Sequence, residues 1–161
     1  MKKKIIKWTI IVVVSGLVIG GGIVLYMWNM PQRNVQETPV DFKLNSEQLV
    51  KEYLSDAKAS NAKYLQTEGD SKILAVTGEV FSITEDLKHQ KVVLLKKKDE
   101  KVGVSCTFMQ NTNENANKLK IGDKVTIKGV IRAGAGYDED LELYEDAIME
   151  KCDVYLSENE E

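Results

Sequence analysis

The sequence predicts a mainly β domain, a small closed barrel with one preceding amphipathic helix, behind a single membrane-spanning helix. Three observations predict it. Residues Ile5 to Met30 are one apolar run. Between Ile73 and Leu156 apolar positions recur with the period of two expected of half-buried strands, in five separate runs. A short polar helical segment interrupts those runs after the third.

Within the apolar run, Trp8 to Trp28 carries no charge. A helix of that length, at ~1.5 Å per residue, spans about 30 Å, the thickness of a bilayer's hydrocarbon core. Trp8 at one end, and Tyr26 and Trp28 at the other, suit the headgroup level. Lys2, Lys3, Lys4 and Lys7 precede the span and only Arg33 and Lys43 follow it closely, so the N-terminus is expected in the cytoplasm and residues 31–161 outside it. The rival is a cleaved signal peptide, which would leave the domain secreted. The run overshoots a signal peptide's apolar region, and it lacks both an Ala-x-Ala site and a nearby lipoprotein cysteine. Gly16 and Gly20 form a Gly-x-x-x-Gly that would let two such helices pair as a homodimer.

Residues 31–44 read as a juxtamembrane linker, because Pro31 ends a helix and Pro39 favours extended chain. Asn45 or Ser46 then caps a helix predicted to run to Leu65, its stripe formed by Val50, Tyr53, Leu54, Ala57, Asn61 and Tyr64. Gly69-Asp70 ends it. Strands follow at Ile73–Ile83, with Gly78 as a bulge position, at Lys91–Lys96 and at Val102–Met109. A short helix near Glu114–Leu119 stops at Gly122, and Val125 to Ile131 alternates as a fourth strand. Residues 134–140 read as a loop, Leu141–Leu156 holds the last strand, and 157–161 is an acidic tail. The domains are therefore 1–30 (anchor), 31–44 (linker), 45–156 (folded domain) and 157–161 (tail).

Five strands with a helical insert between the third and fourth match a Greek-key barrel of the OB type, whose leading helix would plug one end. A β-sandwich is the rival, and five strands are few for two sheets.

Charge divides along the chain. Residues 1–44 hold six Lys/Arg against two Asp/Glu, whereas residues 45–161 hold sixteen against twenty-three. An acidic domain repels phosphate backbones unless a local basic patch overrides its mean, so nucleic acid is disfavoured as a partner. The two cysteines, Cys106 and Cys152, lie in the part expected to face an oxidising compartment. An even pair there suggests a disulfide, and two buried thiols acting as small hydrophobes are the alternative.

Several segments resemble a known family. They are Leu49-Val50-Lys51-Glu52-Tyr53, Ile73-Leu74-Ala75-Val76-Thr77-Gly78-Glu79-Val80, Val104-Ser105-Cys106-Thr107-Phe108, Ile121-Gly122-Asp123-Lys124-Val125-Thr126-Ile127-Lys128-Gly129 and Asp146-Ala147-Ile148-Met149-Glu150-Lys151-Cys152. Together they resemble the tRNA_anti-like OB-fold family, small bacterial and phage-associated proteins that are often membrane-anchored. The resemblance covers about residues 45–156. The family's name records a distant similarity to anticodon-binding OB domains and does not imply tRNA binding here. The OB fold it implies places the third and fifth strands side by side, which would bring Cys106 and Cys152 within reach of a disulfide.

Lys96, Lys97, Lys98 and Lys101 form one basic cluster, on the turn joining the second and third strands. OB proteins bind oligonucleotides on that side with basic groups and stacked aromatics. Phe108 is the candidate ring, and it fits a core position as well. His89 sits in a turn with no nucleophile or orienting carboxylate nominated by spacing. Asp138, Glu139, Asp140, Glu142, Glu145 and Asp146 lack EF-hand spacing and read as a solvated acidic rim. No catalytic set, metal site or cofactor is expected. The favoured reading is a membrane-anchored, extracytoplasmic OB-fold binding module that is not an enzyme and contacts a cell-envelope protein or peptide. The alternative is an OB-fold protein that binds single-stranded nucleic acid.

Overall fold

The computed structural model describes residues 34–65 and 71–156, together with Gly16, residues 19–24 and Tyr26. The chain divides into two units, residues 1–33 and 34–161. In the first, the described residues are helical and exposed, and a Cβ at Gly16 or Gly20 would meet nothing within 4 Å. Among the described residues no helix is long and apolar enough to cross a membrane. Most of the anchor expected at 5–30 lies outside the described residues, as do Gly69-Asp70 and the acidic tail.

The second unit holds β1 (Phe42–Asn45), α1 (Ser46–Ser55), α2 (Ala57–Tyr64), β2 (Ile73–Glu85), β3 (Lys91–Leu95), β4 (Val104–Phe108), α3 (Asn113–Asn117), β5 (Lys124–Ala133), β6 (Gly136–Asp138), β7 (Leu143–Glu145) and β8 (Ala147–Val154). The main sheet runs β1-β2-β3-β4-β8-β5, and β5 pairs back onto β2 to close it. β4 and β8 are parallel, while the other barrel pairs are antiparallel. With α3 between the third and fourth barrel strands, this is the expected five-stranded OB barrel.

Closure rests on β2, whose 13 residues serve two neighbours. Ile73 to Glu79 pair with β5, and Val80 to Glu85 pair with β3. The irregularity falls between Val80 and Ser82 and not at Gly78, where a bulge was expected. Gly78 has another task. A Cβ there would lie 2.8 Å from Ser46 Oγ and 2.9 Å from the Leu95 Cβ, so its bare backbone admits the start of α1.

Alternation on the strands sends Leu74, Val76, Val80, Val93, Leu95, Val104, Cys106, Phe108, Ile127, Ile131 and Met149 into one core. Leu49 and Tyr53 of α1 and Ala116 of α3 join the same cluster. Each fully buried aliphatic side chain contributes about 1.5–3 kcal/mol relative to exposure.

Four elements differ from the sequence expectation. The leading helix is two helices, broken at Asp56 (φ −155°, ψ 90°), whose carboxylate accepts the Ala59 N–H at 2.9 Å and so caps α2. The stripe divides accordingly: Leu49, Tyr53, Ser60 and Tyr64 are buried, whereas Leu54, Ala57 and Asn61 face solvent. Residues 134–140 are not simply loop, because Gly136–Asp138 pairs with Leu143–Glu145 as a hairpin. The last barrel strand therefore begins at Ala147. Finally, residues 34–44, read as part of the linker, pack onto the barrel. β1 pairs in parallel with β2, Val35 is buried against Ile73 and Val130, and Asp41 Oδ2 accepts the Ile73 N–H at 2.8 Å.

Candidate binding surface

The features that could engage a ligand gather around the turn from β3 to β4. Lys96 leaves β3 with its ammonium 4.4 Å from the centroid of Phe81, an exposed ring on the outer face of β2. Lys97 pairs with Glu47 of α1, and that hydrogen bond holds the Lys97 ammonium above its ordinary pKa. Lys98 is exposed at the tip. Lys101 lies 5.1 Å from the ring of Tyr144 in the β6–β7 hairpin. The four lysines therefore share one turn, but Lys97 is neutralised by Glu47, and Lys96 and Lys101 lie over rings. Phe108 is not among them. The alternation that buries Val104 and Cys106 buries it too, with no exposed surface.

Beside this turn lies a groove of about 370 Å³ with an apolar floor, formed by Val50 and Leu54 of α1, Val102 and Tyr144. Glu47, Lys51, Glu100 and Lys101 stand on its rim, so the rim carries both signs. Leu54 is in the groove because the break at Asp56 leaves that side of α1 uncovered. The hairpin extends the apolar surface. Tyr137 and Tyr144 pair across its strands with centroids 4.7 Å apart, and Leu141 and Leu143 are exposed on it. Asp138 Oδ1 fixes the hairpin turn by accepting the N–H groups of Asp140 and Leu141, both at 2.9 Å. Asp146 Oδ1 accepts the Gly103 N–H at 2.7 Å, tying the hairpin's exit to the β3–β4 turn. Two of the six acidic residues thus have structural work. Among the described residues no group of His, Cys, Asp and Glu is arranged to hold a metal ion.

The outer face of the barrel next to this region is uncharged. Ser82, Leu94, Ser105 and Ile148 stand in register across β2, β3, β4 and β8, with Val92 opposite Thr107 one step along. Those positions offer neither a cation nor a ring for stacking, and the Phe81 ring under Lys96 lies beside them at the β2 irregularity.

His89, at φ 60° in the β2–β3 turn, has its Nδ1 2.7 Å from Glu85 Oε1. Hydrogen bonds from His89 and Lys91 hold the Glu85 carboxyl below its ordinary pKa. Cys106 and Cys152 are brought together in the core as free, fully buried thiols. Burial, and then the neighbouring Cys106 thiol, push the Cys152 pKa well up.

Phe81, Tyr137 and Tyr144 were not singled out in the sequence, and Leu54 was read there only as part of the packing stripe. Phe81 had a signal there, since it alternates with the inward Val76, Gly78 and Val80 on β2 and so points outward. The two tyrosines had none, because strands of three residues are too short to show a period.

The tRNA_anti-like family model matches residues 1–142. No curated protein sequence matches the chain. Among solved structures, a proposed nucleic acid-binding lipoprotein from Klebsiella pneumoniae subsp. pneumoniae MGH 78578 superposes with a TM-score of 0.53 at 14% identity. The superposition covers 74% of this chain and 100% of that one. At that identity the likeness is one of fold.

Proposed function

The chain belongs to the tRNA_anti-like family, and from that premise we propose that it is a membrane-anchored, extracytoplasmic OB-fold module that binds a cell-envelope protein or peptide and performs no catalysis. The observation that carries this reading is the continuous apolar surface of Val50, Leu54, Val102, Tyr144 and Tyr137 beside a rim of mixed charge. Exposed apolar surface of this kind, edged by polar groups, is typical of protein contacts, and buried tyrosines commonly anchor them. The anchor rests on the uncharged run from Trp8 to Trp28 and the lysines before it.

A photo-reactive residue in place of Leu54 or Tyr144, in the full chain in its native membrane, tests the surface. The expected result is one discrete protein adduct from both positions, lost when Val50→Glu is added. Adducts to lipid alone, or an adduct unaffected by Val50→Glu, would count against it.

A second reading, binding of single-stranded nucleic acid, is favoured by one observation. Lys96 over Phe81 and Lys101 over Tyr144 set two cation-bearing rings on either side of one turn. The Klebsiella lipoprotein, itself named for nucleic acid binding, shares this fold. Against it stand the uncharged row of Ser82, Leu94, Ser105 and Ile148 and the net acidity of residues 45–161. Retention of a labelled oligonucleotide that weakens with salt, and disappears in Lys98→Glu/Lys101→Glu, would make this the better reading.

A further inference from the structure

Three local features converge on one pair of sulfurs. β4 alternates regularly, so Val104, Cys106 and Phe108 all point inward. β8 does not. Ala147 and Met149 point inward on odd positions, after which the inward position moves to Cys152. The shift is a bulge: Cys106 stands opposite Met149 but Phe108 stands opposite Cys152, so β8 spends one more residue than β4 over the same step. Lys151 takes a left-handed backbone conformation there, with φ 54°. A bulge of this kind re-aims a side chain, and here it turns Cys152 from the outer face into the core cluster that also holds Cys106 on the paired strand. Space for the sulfur comes from β5, because a Cβ at Gly129 would lie 2.6 Å from Cys152 Sγ. A glycine, a left-handed residue and a change of strand phase together seat the Cys152 sulfur in the core on the strand beside that of Cys106.

We propose that Cys106 and Cys152 are a covalent cross-link site, joining as a disulfide that staples β4 to β8 inside the barrel seam. The oxidant is an external disulfide, either a small molecule or a thiol–disulfide oxidoreductase. One cysteine thiolate attacks it, forming a mixed disulfide and releasing one external thiol. The second thiolate then attacks the protein sulfur of that mixed disulfide and releases the other external thiol. The chain loses two protons and two electrons, and the external disulfide gains them. In the closed barrel the Cys152 thiolate is strongly disfavoured by burial. Exchange therefore belongs to the open, folding chain, and the finished barrel then shields the bond. The proposal is independent of which partner the outer surface binds.

The test uses the full chain in detergent, denatured, reduced, and refolded with glutathione disulfide. The expected product is lighter than the reduced chain by two hydrogens, carries no glutathione, and takes up no alkylating agent when denatured. Its Tm lies roughly 10 °C or more above that of the reduced protein, because the bond constrains the unfolded chain over residues 107–151. Two alkylatable thiols, or glutathione retained on both cysteines, would overturn the assignment. Cys152→Ser provides the control, and a Tm gain from oxidant that persists in this variant would overturn it as well. Should that variant not fold, the mass of the unaltered chain still decides.

Discussion

Tyr53 places two conflicting demands on one side chain. Its ring is buried beside Tyr64, with centroids 6.0 Å apart, yet its hydroxyl is left without a hydrogen-bond partner among the described residues. Tyr64 contrasts with it, since its hydroxyl donates to Glu52 Oε2 at 2.7 Å. A buried hydroxyl without a partner costs about 1–3 kcal/mol, so Tyr53→Phe is expected to leave Tm unchanged or raise it. The pH dependence gives a sharper check. Burial, followed by repulsion from the Tyr64 and Glu52 charges, pushes the Tyr53 phenol up to about 12 from an ordinary 10.0. A pKa raised on folding means stability that is whole below pH 10 and is lost as pH rises towards 12. Denaturation at a series of alkaline pH values should therefore show Tyr53→Phe gaining on the unaltered protein through that window. The gain should be of the order of 2 kcal/mol. Parallel curves would show that the phenol is not held neutral. Glu52 has the opposite sign. Hydrogen bonds from Lys63 and Tyr64 hold its carboxyl below the ordinary value, so its contribution is present at neutral pH and fades in acid. The pair is largely exposed, which keeps that contribution under about 1 kcal/mol.

Among the elements, the division of the leading helix has consequences for the surface. Ser55 donates its hydroxyl to the Lys51 carbonyl at 2.7 Å, and Asp56 leaves helical geometry to cap α2. Asp56→Ala removes the cap and is expected to cost about 1 kcal/mol. Because α1 can then run on into α2, the same change should alter how Leu54 lies in the groove. Thermal denaturation, with the photo-reactive residue at Tyr144 as reporter, reads both effects. A variant with unchanged stability and unchanged adduct would show that the break owes nothing to Asp56. This break also shows which elements the sequence could reveal. β2 and β3 were legible as apolar, β-branched runs, and β4 and β5 from their period of two. The helix break was not, because Val50, Tyr53, Leu54, Ala57 and Asn61 keep helical spacing across Asp56. The β6–β7 hairpin hides for another reason: its turn is set by Asp138 accepting two backbone N–H groups, in a stretch that reads only as acidic. The phase change of β8 at Lys151 is likewise invisible, since nothing local in Met149-Glu150-Lys151-Cys152 announces a bulge. The lysine turn and the cysteine pair were legible as groups of residues. Their geometry depended on closure of the barrel.

For the whole molecule, the lower boundary of the folded unit decides how much chain separates the barrel from the apolar run at residues 5–30. The sequence places that boundary at Asn45, after a linker containing Pro31 and Pro39, whereas the packing places it near Asn34. Val35 is 2% exposed, and Leu44 adds to the main core. The ring of Phe42 meets Tyr64 edge-on at 5.3 Å between centroids. Polar groups are committed as well. Gln36 Nε2 donates to the Lys151 carbonyl at 2.7 Å, and Lys128 Nζ donates to the Gln36 carbonyl at 2.8 Å. Lys128 is nearly buried, and desolvation holds its ammonium below the ordinary pKa. Removing Gln36 would take away the carbonyl that accepts from Lys128 and the amide that donates to the Lys151 carbonyl at the bulge that aims Cys152. Two truncations separate the boundaries. Residues 34–161 contain every strand among the described residues and both core clusters, so this piece should fold cooperatively without the first unit. Residues 46–161 lose β1, the burial of Val35 and Leu44, and the partner of Lys128. Two buried aliphatics alone account for about 3–6 kcal/mol, a large share of the 5–15 kcal/mol typical of a domain. Urea denaturation should therefore find the shorter piece far less stable or unfolded. Equal midpoints for the two would mean that residues 34–45 contribute nothing to the barrel and are spacer after all.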